Sequence, residues 1–175
     1  MSINIVNTDE NIIEFHMPRW NEFPSIDLYI DQVVCLLENY LSEYIKSDSD
    51  KDGKIITKTM INNYVKHDVI KPPSNKKYNK EHIAYLFVIF ILKQVYSMSE
   101  IKKLITLAIE TSTPEQAYNK FCNELEKARK LTFNGDNYLE NSSLTHEQYL
   151  LRNVVQSFAN KLYVQRTFLN FPQIH

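Results

Sequence analysis

Glycine is almost missing. The chain has 175 residues and only 2 glycines, Gly53 and Gly135, where average usage of about 7% would supply roughly twelve. Hairpin-rich sheets draw on glycine for positive φ, so an all-β fold is all but excluded. Glycine-rich phosphate cradles are excluded outright, because neither GxGxxG nor GxxxxGK can be written with two glycines this far apart. Cysteine is equally scarce: Cys35 and Cys122 form no CxxC and are expected as buried free thiols in a reducing cytoplasm. The longest uncharged apolar run, Ile83 to Leu92, is ten residues, about half of what a membrane span requires. Residues 1–16 lack a basic start and carry Asp9, Glu10 and Glu14, so neither a secretory signal nor a membrane partner is expected. The five histidines stand apart, with no HExxH and no nucleophile elbow, and enzyme chemistry is not expected.

What the chain does have is an uneven charge. The formal total is -1, yet residues 1–53 hold 3 basic and 11 acidic side chains. Residues 54–82 hold seven lysines (54, 58, 66, 71, 76, 77 and 80) against Asp68 and Glu81. A basic island inside an otherwise acidic chain points to an anionic partner.

Apolar periodicity and capping signals predict six helices. The first spans about Ile26 to Ile45, with Ser25 as N-cap and Asp27 in its first turn. Thr57 caps a short second helix that stops near His67, ahead of Pro72-Pro73. Residues 70–79 read as a short extended stretch with a turn at Ser74-Asn75. Asn79 caps a third helix, apolar almost all round from Tyr85 to Leu92 and therefore central. Ser97-Met98-Ser99-Glu100, Thr113-Pro114-Glu115-Gln116 and Thr145-His146-Glu147-Gln148 are capping boxes that start the last three. The fifth helix is expected to end near Gly135 and the sixth near Leu169.

Asp48-Ser49-Asp50-Lys51-Asp52-Gly53 resembles the front of a calcium loop, but its twelfth position is Thr59 rather than a bidentate glutamate. An acidic surface loop is the better reading, and no metal or cofactor is expected. The basic island carries more. On the second helix Met60, Ile61, Tyr64 and Val65 face inward, while Lys58, Thr59, Asn62, Asn63 and Lys66 face out. Asparagine can bond adenine in bidentate fashion, threonine and lysine can reach bases or phosphates, and a helix N-terminus favours an anion. Next comes Ile70-Lys71-Pro72-Pro73-Ser74-Asn75-Lys76-Lys77-Tyr78, a short ribbon tipped by lysines.

These pieces resemble the winged helix-turn-helix of MerR-type transcription regulators. The similarity runs through Thr57 to Tyr64, Val69-Ile70-Lys71-Pro72, Lys76-Lys77-Tyr78, Ile83-Ala84-Tyr85-Leu86 and Tyr96-Ser97-Met98-Ser99-Glu100-Ile101. A wider stretch, including Met17-Pro18-Arg19-Trp20 and Pro24-Ser25-Ile26-Asp27-Leu28-Tyr29, is similar to a YkrK-like bacterial family carrying domain of unknown function 1836. The resemblance implies a cytoplasmic, all-α protein with a MerR-like winged helix-turn-helix followed by additional C-terminal helices. It departs from MerR regulators in the long join Ser47 to Ile56, in a wing without arginine, and in the lack of effector-site cysteines.

The expected organisation is an N-terminal extension (1–24), a DNA-binding region (25–111) and a C-terminal helical dimerisation or effector region (112–175). The expected function is a sequence-specific regulator on double-stranded DNA. Thr59, Asn62 and Asn63 would touch bases. Lys58, Lys66, Lys76 and Lys77 would hold phosphates, with Thr57 at the helix start, and Tyr78 would pack or touch the backbone. Tyr149, Val154, Tyr163 and Phe168 on outer faces of the sixth helix suggest a homodimer. The alternatives are a helical protein–protein adaptor, or a small-molecule sensor, with a winged-helix shape but no DNA binding. The sequence leaves the effector unidentified.

Overall fold

The computed structural model describes residues 14–42, 44–45, 55–138 and 143–169. The described chain is mostly helical, with one two-stranded sheet. It divides into two compact units, Pro18–Lys120 and Met1–Met17 with Phe121–His175. Among the described residues no helix is long and apolar enough to cross a membrane.

The unit Pro18–Lys120 opens with a 3-10 turn, Trp20–Glu22, followed by strand β1, Leu28–Tyr29, and helix α1, Ile30–Leu41. Helix α2 is Lys58–Lys66, strand β2 Lys77–Tyr78, α3 Lys80–Leu92 and α4 Met98–Thr111; α5, Pro114–Asn134, begins here. Helix α3 is the core. Its Ile83, Ala84, Leu86, Phe87 and Ile89 are fully buried, as its apolar circumference requires. Phe87 stacks on Phe23 with centroids 5.8 Å apart, and Tyr40 meets it edge-on at 5.8 Å. The ends of the unit are stitched by the Tyr118 hydroxyl, which donates to the Pro18 carbonyl at 2.8 Å, and by Trp20 N–H, which donates to Asn119 Oδ1 at 3.0 Å.

The first helix starts later than its apolar pattern suggests. Residues 28–29 pair antiparallel with β2, Leu28 opposite Tyr78 and Tyr29 opposite Lys77. That pairing holds Leu28 and Tyr29 extended, so Ser25 is not the cap. Gln32 Oε1 instead reaches back to the Tyr29 N–H at 2.9 Å. The turn before β2 is centred on Asn75 and Lys76, one residue beyond Ser74-Asn75. Both have left-handed φ, 50° and 62°, and Lys77 N–H closes the turn on the Ser74 carbonyl at 2.8 Å, a type I′ geometry. Cys35 is exposed, not buried. The buried stripe of α1 is Val33, Leu37 and Leu41, and Cys35 lies off it by about half a turn.

In the other unit α5 continues to Gly135, whose φ of 73° lets Asp136 N–H reach the Leu131 carbonyl at 2.9 Å, a glycine C-cap. Helix α6, His146–Val164, runs on into a π-helical turn, Gln165–Leu169. Val155, Phe158, Ala159 and Leu162 are buried on it. Phe133 meets Tyr163 edge-on at 5.3 Å, and Gln156 Nε2 donates to Thr132 Oγ1 at 2.7 Å. Residues 15–17 are held on α5: Arg129 Nη2 donates to the Phe15 carbonyl at 2.6 Å, and Met17 N–H to Glu126 Oε1 at 2.7 Å.

Candidate nucleic-acid interface

Helix α2 is fixed from three sides. The Thr57 hydroxyl accepts from Met60 N–H at 3.3 Å and caps it. Ile61 and Tyr64 are buried, and Tyr64 packs edge-on against Phe90 of α3 at 5.5 Å. Burial raises the Tyr64 pKa above its ordinary value, because the charged phenolate would lose its water. At the far end Asp68 takes a left-handed φ of 53°, and Val69 N–H turns back to the Tyr64 carbonyl at 2.9 Å. The opposite face presents Lys58, Thr59, Asn62, Asn63 and Lys66, all exposed. Among the described residues the side chains of Thr59, Asn62, Asn63 and Lys66 make no hydrogen bond or ion pair.

Lys58 is engaged. Its Nζ lies 2.5 Å from Oδ1 of Asp31, in the first turn of α1. Lys77 is engaged differently, with its ammonium 5.1 Å from the centre of the Tyr29 ring, a cation–π contact that keeps the charge. Tyr29 itself is 52% exposed. Tyr78 is 3% exposed and packs edge-on against His82 at 5.5 Å. Burial pushes its hydroxyl pKa upward. Lys76 stands exposed on the turn.

The two basic elements therefore converge. Lys58 at the start of α2 touches Asp31, and Lys77 of the lysine turn touches Tyr29. Tyr29 and Asp31 are two residues apart, so their Cα atoms lie within about 7 Å. Sequence reasoning missed this segment, although the alternation Ile26-Asp27-Leu28-Tyr29 is a strand signal that could have revealed it.

Other chemistry has less to stand on. Among the described residues no group of three or more His, Cys, Asp or Glu side chains could hold a metal ion. The calcium-like segment Asp48 to Gly53 lies outside the described residues. An open groove of about 500 Å³ is lined in part by Trp20, Asp27, Lys80, Glu81, Thr113 and Glu115. Its carboxylates outnumber Lys80, whose ammonium already donates to the Trp20 carbonyl at 3.3 Å, so it suits an anion poorly.

No curated protein and no solved structure matches the chain. A family does match over residues 18–121, the compact unit Pro18–Lys120 and one residue more: the chain belongs to the family described as a domain of unknown function, DUF1836.

Proposed function

We propose that this protein is a sequence-specific DNA-binding transcription regulator of winged helix-turn-helix type, similar to MerR regulators, acting in the cytoplasm as a homodimer. Helix α2 is the recognition helix. Thr59, Asn62 and Asn63 read bases from the major groove, and the asparagines favour adenine. Lys58, Lys66, Lys76 and Lys77 hold phosphates, and the α2 N-terminus capped by Thr57 favours another. The protein binds and does not catalyse. The residues after α4 carry the effector response.

One observation carries this reading: Lys58, at the start of α2, and Lys77, of the lysine turn, meet on the segment Tyr29–Asp31. A duplex lying there meets an exposed hydrogen-bonding helix and a cationic tip together. A protein–protein adaptor has no need of either feature beside the other.

The test is selection of bound sequences from random duplexes, then titration of the selected duplex against salt. The logarithm of affinity should fall linearly with the logarithm of salt, by roughly 0.9 per neutralised phosphate. Alanine at Lys66 or Lys76 should flatten that slope by about one phosphate. Asn62→Ala should leave the slope and relax base preference, at a cost of about 1–3 kcal/mol. Affinity indifferent to all three changes would remove the site.

A further inference from the structure

Among the described residues, helix α4 ends without a packing partner. Its start is firmly built: Ser97 Oγ accepts from Glu100 N–H at 3.4 Å, and Glu100 Oε2 accepts from Ser97 N–H at 2.7 Å. The Ser97 hydroxyl also donates to Glu100 Oε2 at 2.6 Å, and this bond, with the one from the Ser97 N–H, holds the Glu100 carboxyl below its ordinary pKa. Ile101 is fully buried, and Leu104 and Ile105 are half-buried. From Thr106 to Thr111, however, every residue is exposed. Ala108 is two turns beyond Ile101 on the same face, yet it too is in solvent. Leu107 is 36% exposed and Ile109 40%. Short helices are marginal in water and are held by what they pack against, so a leucine-bearing end left this exposed among the described residues is an unfilled surface.

We infer that α4 pairs antiparallel with α4 of a second copy about a two-fold axis, and that this contact is the homodimer interface. The charges select this occupant. Lys103 and Glu110 are exposed and stand two turns apart on one flank of the stripe Leu104, Leu107, Ala108. In an antiparallel pair each Lys103 faces Glu110 of the partner subunit, and two-fold symmetry makes the match twice. Leu104 then meets the partner's Leu107, and the small Ala108 lets the helices approach. A parallel pair would turn this flank to the opposite side of the seam, where Lys103 and Glu110 would each miss the other's copy. Helix α6 offers less. Its Val154 is buried and Tyr163 packs on Phe133. Of the outer residues named for it, only Tyr149 is a large exposed apolar side chain among those described.

This inference takes its homodimer from the proposed function and locates its interface; it does not depend on DNA. The test is sedimentation equilibrium of the full chain without nucleic acid. The wild type should show a monomer–dimer equilibrium, and Leu107→Asp should abolish the dimer with the far-UV circular dichroism unchanged. Lys103→Glu and Glu110→Lys should each weaken the dimer roughly tenfold, since symmetry turns two attractions into two repulsions. The double variant should recover the wild-type constant, an outcome no folding defect can mimic. A wild type that stays monomeric at submillimolar concentration overturns both the dimer and this interface. A dimer indifferent to Leu107→Asp, or a double charge swap without recovery, overturns the interface and leaves the dimer standing. A monomer made less stable by Leu107→Asp would mean that the chain covers α4 itself, which also overturns the interface.

Discussion

Asp31→Asn should tighten DNA binding while slightly weakening the fold. Asp31 holds Lys58 at 2.5 Å, with the two side chains 70% and 54% exposed. An ion pair this open is worth about 0–1 kcal/mol. Lys58 must give up that pair to reach a phosphate. The carboxylate left behind then repels the incoming backbone by roughly 0.6 kcal/mol at about 7 Å in water. The sum is about 1 kcal/mol, or about fivefold in affinity. Removing the charge also raises the net charge of the contact surface by one, so the salt slope should steepen by up to about 0.9. The fold loses the pair and a favourable charge at the start of α1, the latter worth about 0.3–1 kcal/mol. Fluorescence anisotropy on the selected duplex, from about 50 to 200 mM salt, measures the first effect. Urea denaturation measures the second. Equal or weaker binding with an unchanged slope would show that the start of α2 never meets a phosphate.

Lys76→Gly should raise stability by about 0.5 kcal/mol, because glycine relieves the left-handed strain at φ 62° while giving part of the gain back as unfolded-state entropy. The same change should flatten the salt slope, so stability and affinity move in opposite directions; a joint fall would refute the turn geometry. Phe87→Ala, in the centre of the α3 core, should cost about 3–5 kcal/mol by urea denaturation, and a loss under 1 kcal/mol would contradict its burial. Stability should also decline above about pH 10. The Tyr64 and Tyr78 hydroxyls have folded-state pKa values raised by burial, so the stability they contribute is complete below the unfolded pKa and lost as pH rises through the folded one. Identical urea midpoints at pH 8 and at about pH 11 would deny that these phenols are buried.

Helix starts were legible where their information is local. Thr57, Asn79, Ser97 and Thr145 each accept the N3 amide of the helix they begin, and Thr113 does the same for Gln116 at 3.2 Å. A cap is decided within four residues, so the chain states it directly. The start of α1 was not legible, because Leu28 and Tyr29 answer to Tyr78 and Lys77 far along the sequence. The turn followed the same rule: a lysine in left-handed conformation is no local preference, and the pairing of Lys77 with Tyr29 imposes it. On the candidate site, periodicity told which side of α2 is wet. It could not tell that Asp31 holds Lys58, since charge patterning along a sequence is blind to partners on another helix. Nor could it show that α4 runs out of core after Ile105, because an apolar stripe reads the same whether or not a neighbour covers it.

The extent of the family match bears on where each task resides. Residues 18–121 match, and Pro18–Lys120 folds as one compact unit. The α2 face, the lysine turn and the α4 stripe all fall inside it. DNA reading and two-fold pairing are therefore proposed for one and the same unit, where the distance between two recognition helices would be set by α4 alone. Half-site spacing follows from that rigid distance. The charge-reversed double variant should bind the selected operator as the wild type does. Either single reversal should lose affinity for the full operator and keep it for an isolated half-site. If the single reversals bind both duplexes equally well, α4 pairing has no part in operator recognition, and the two surfaces serve separate ends.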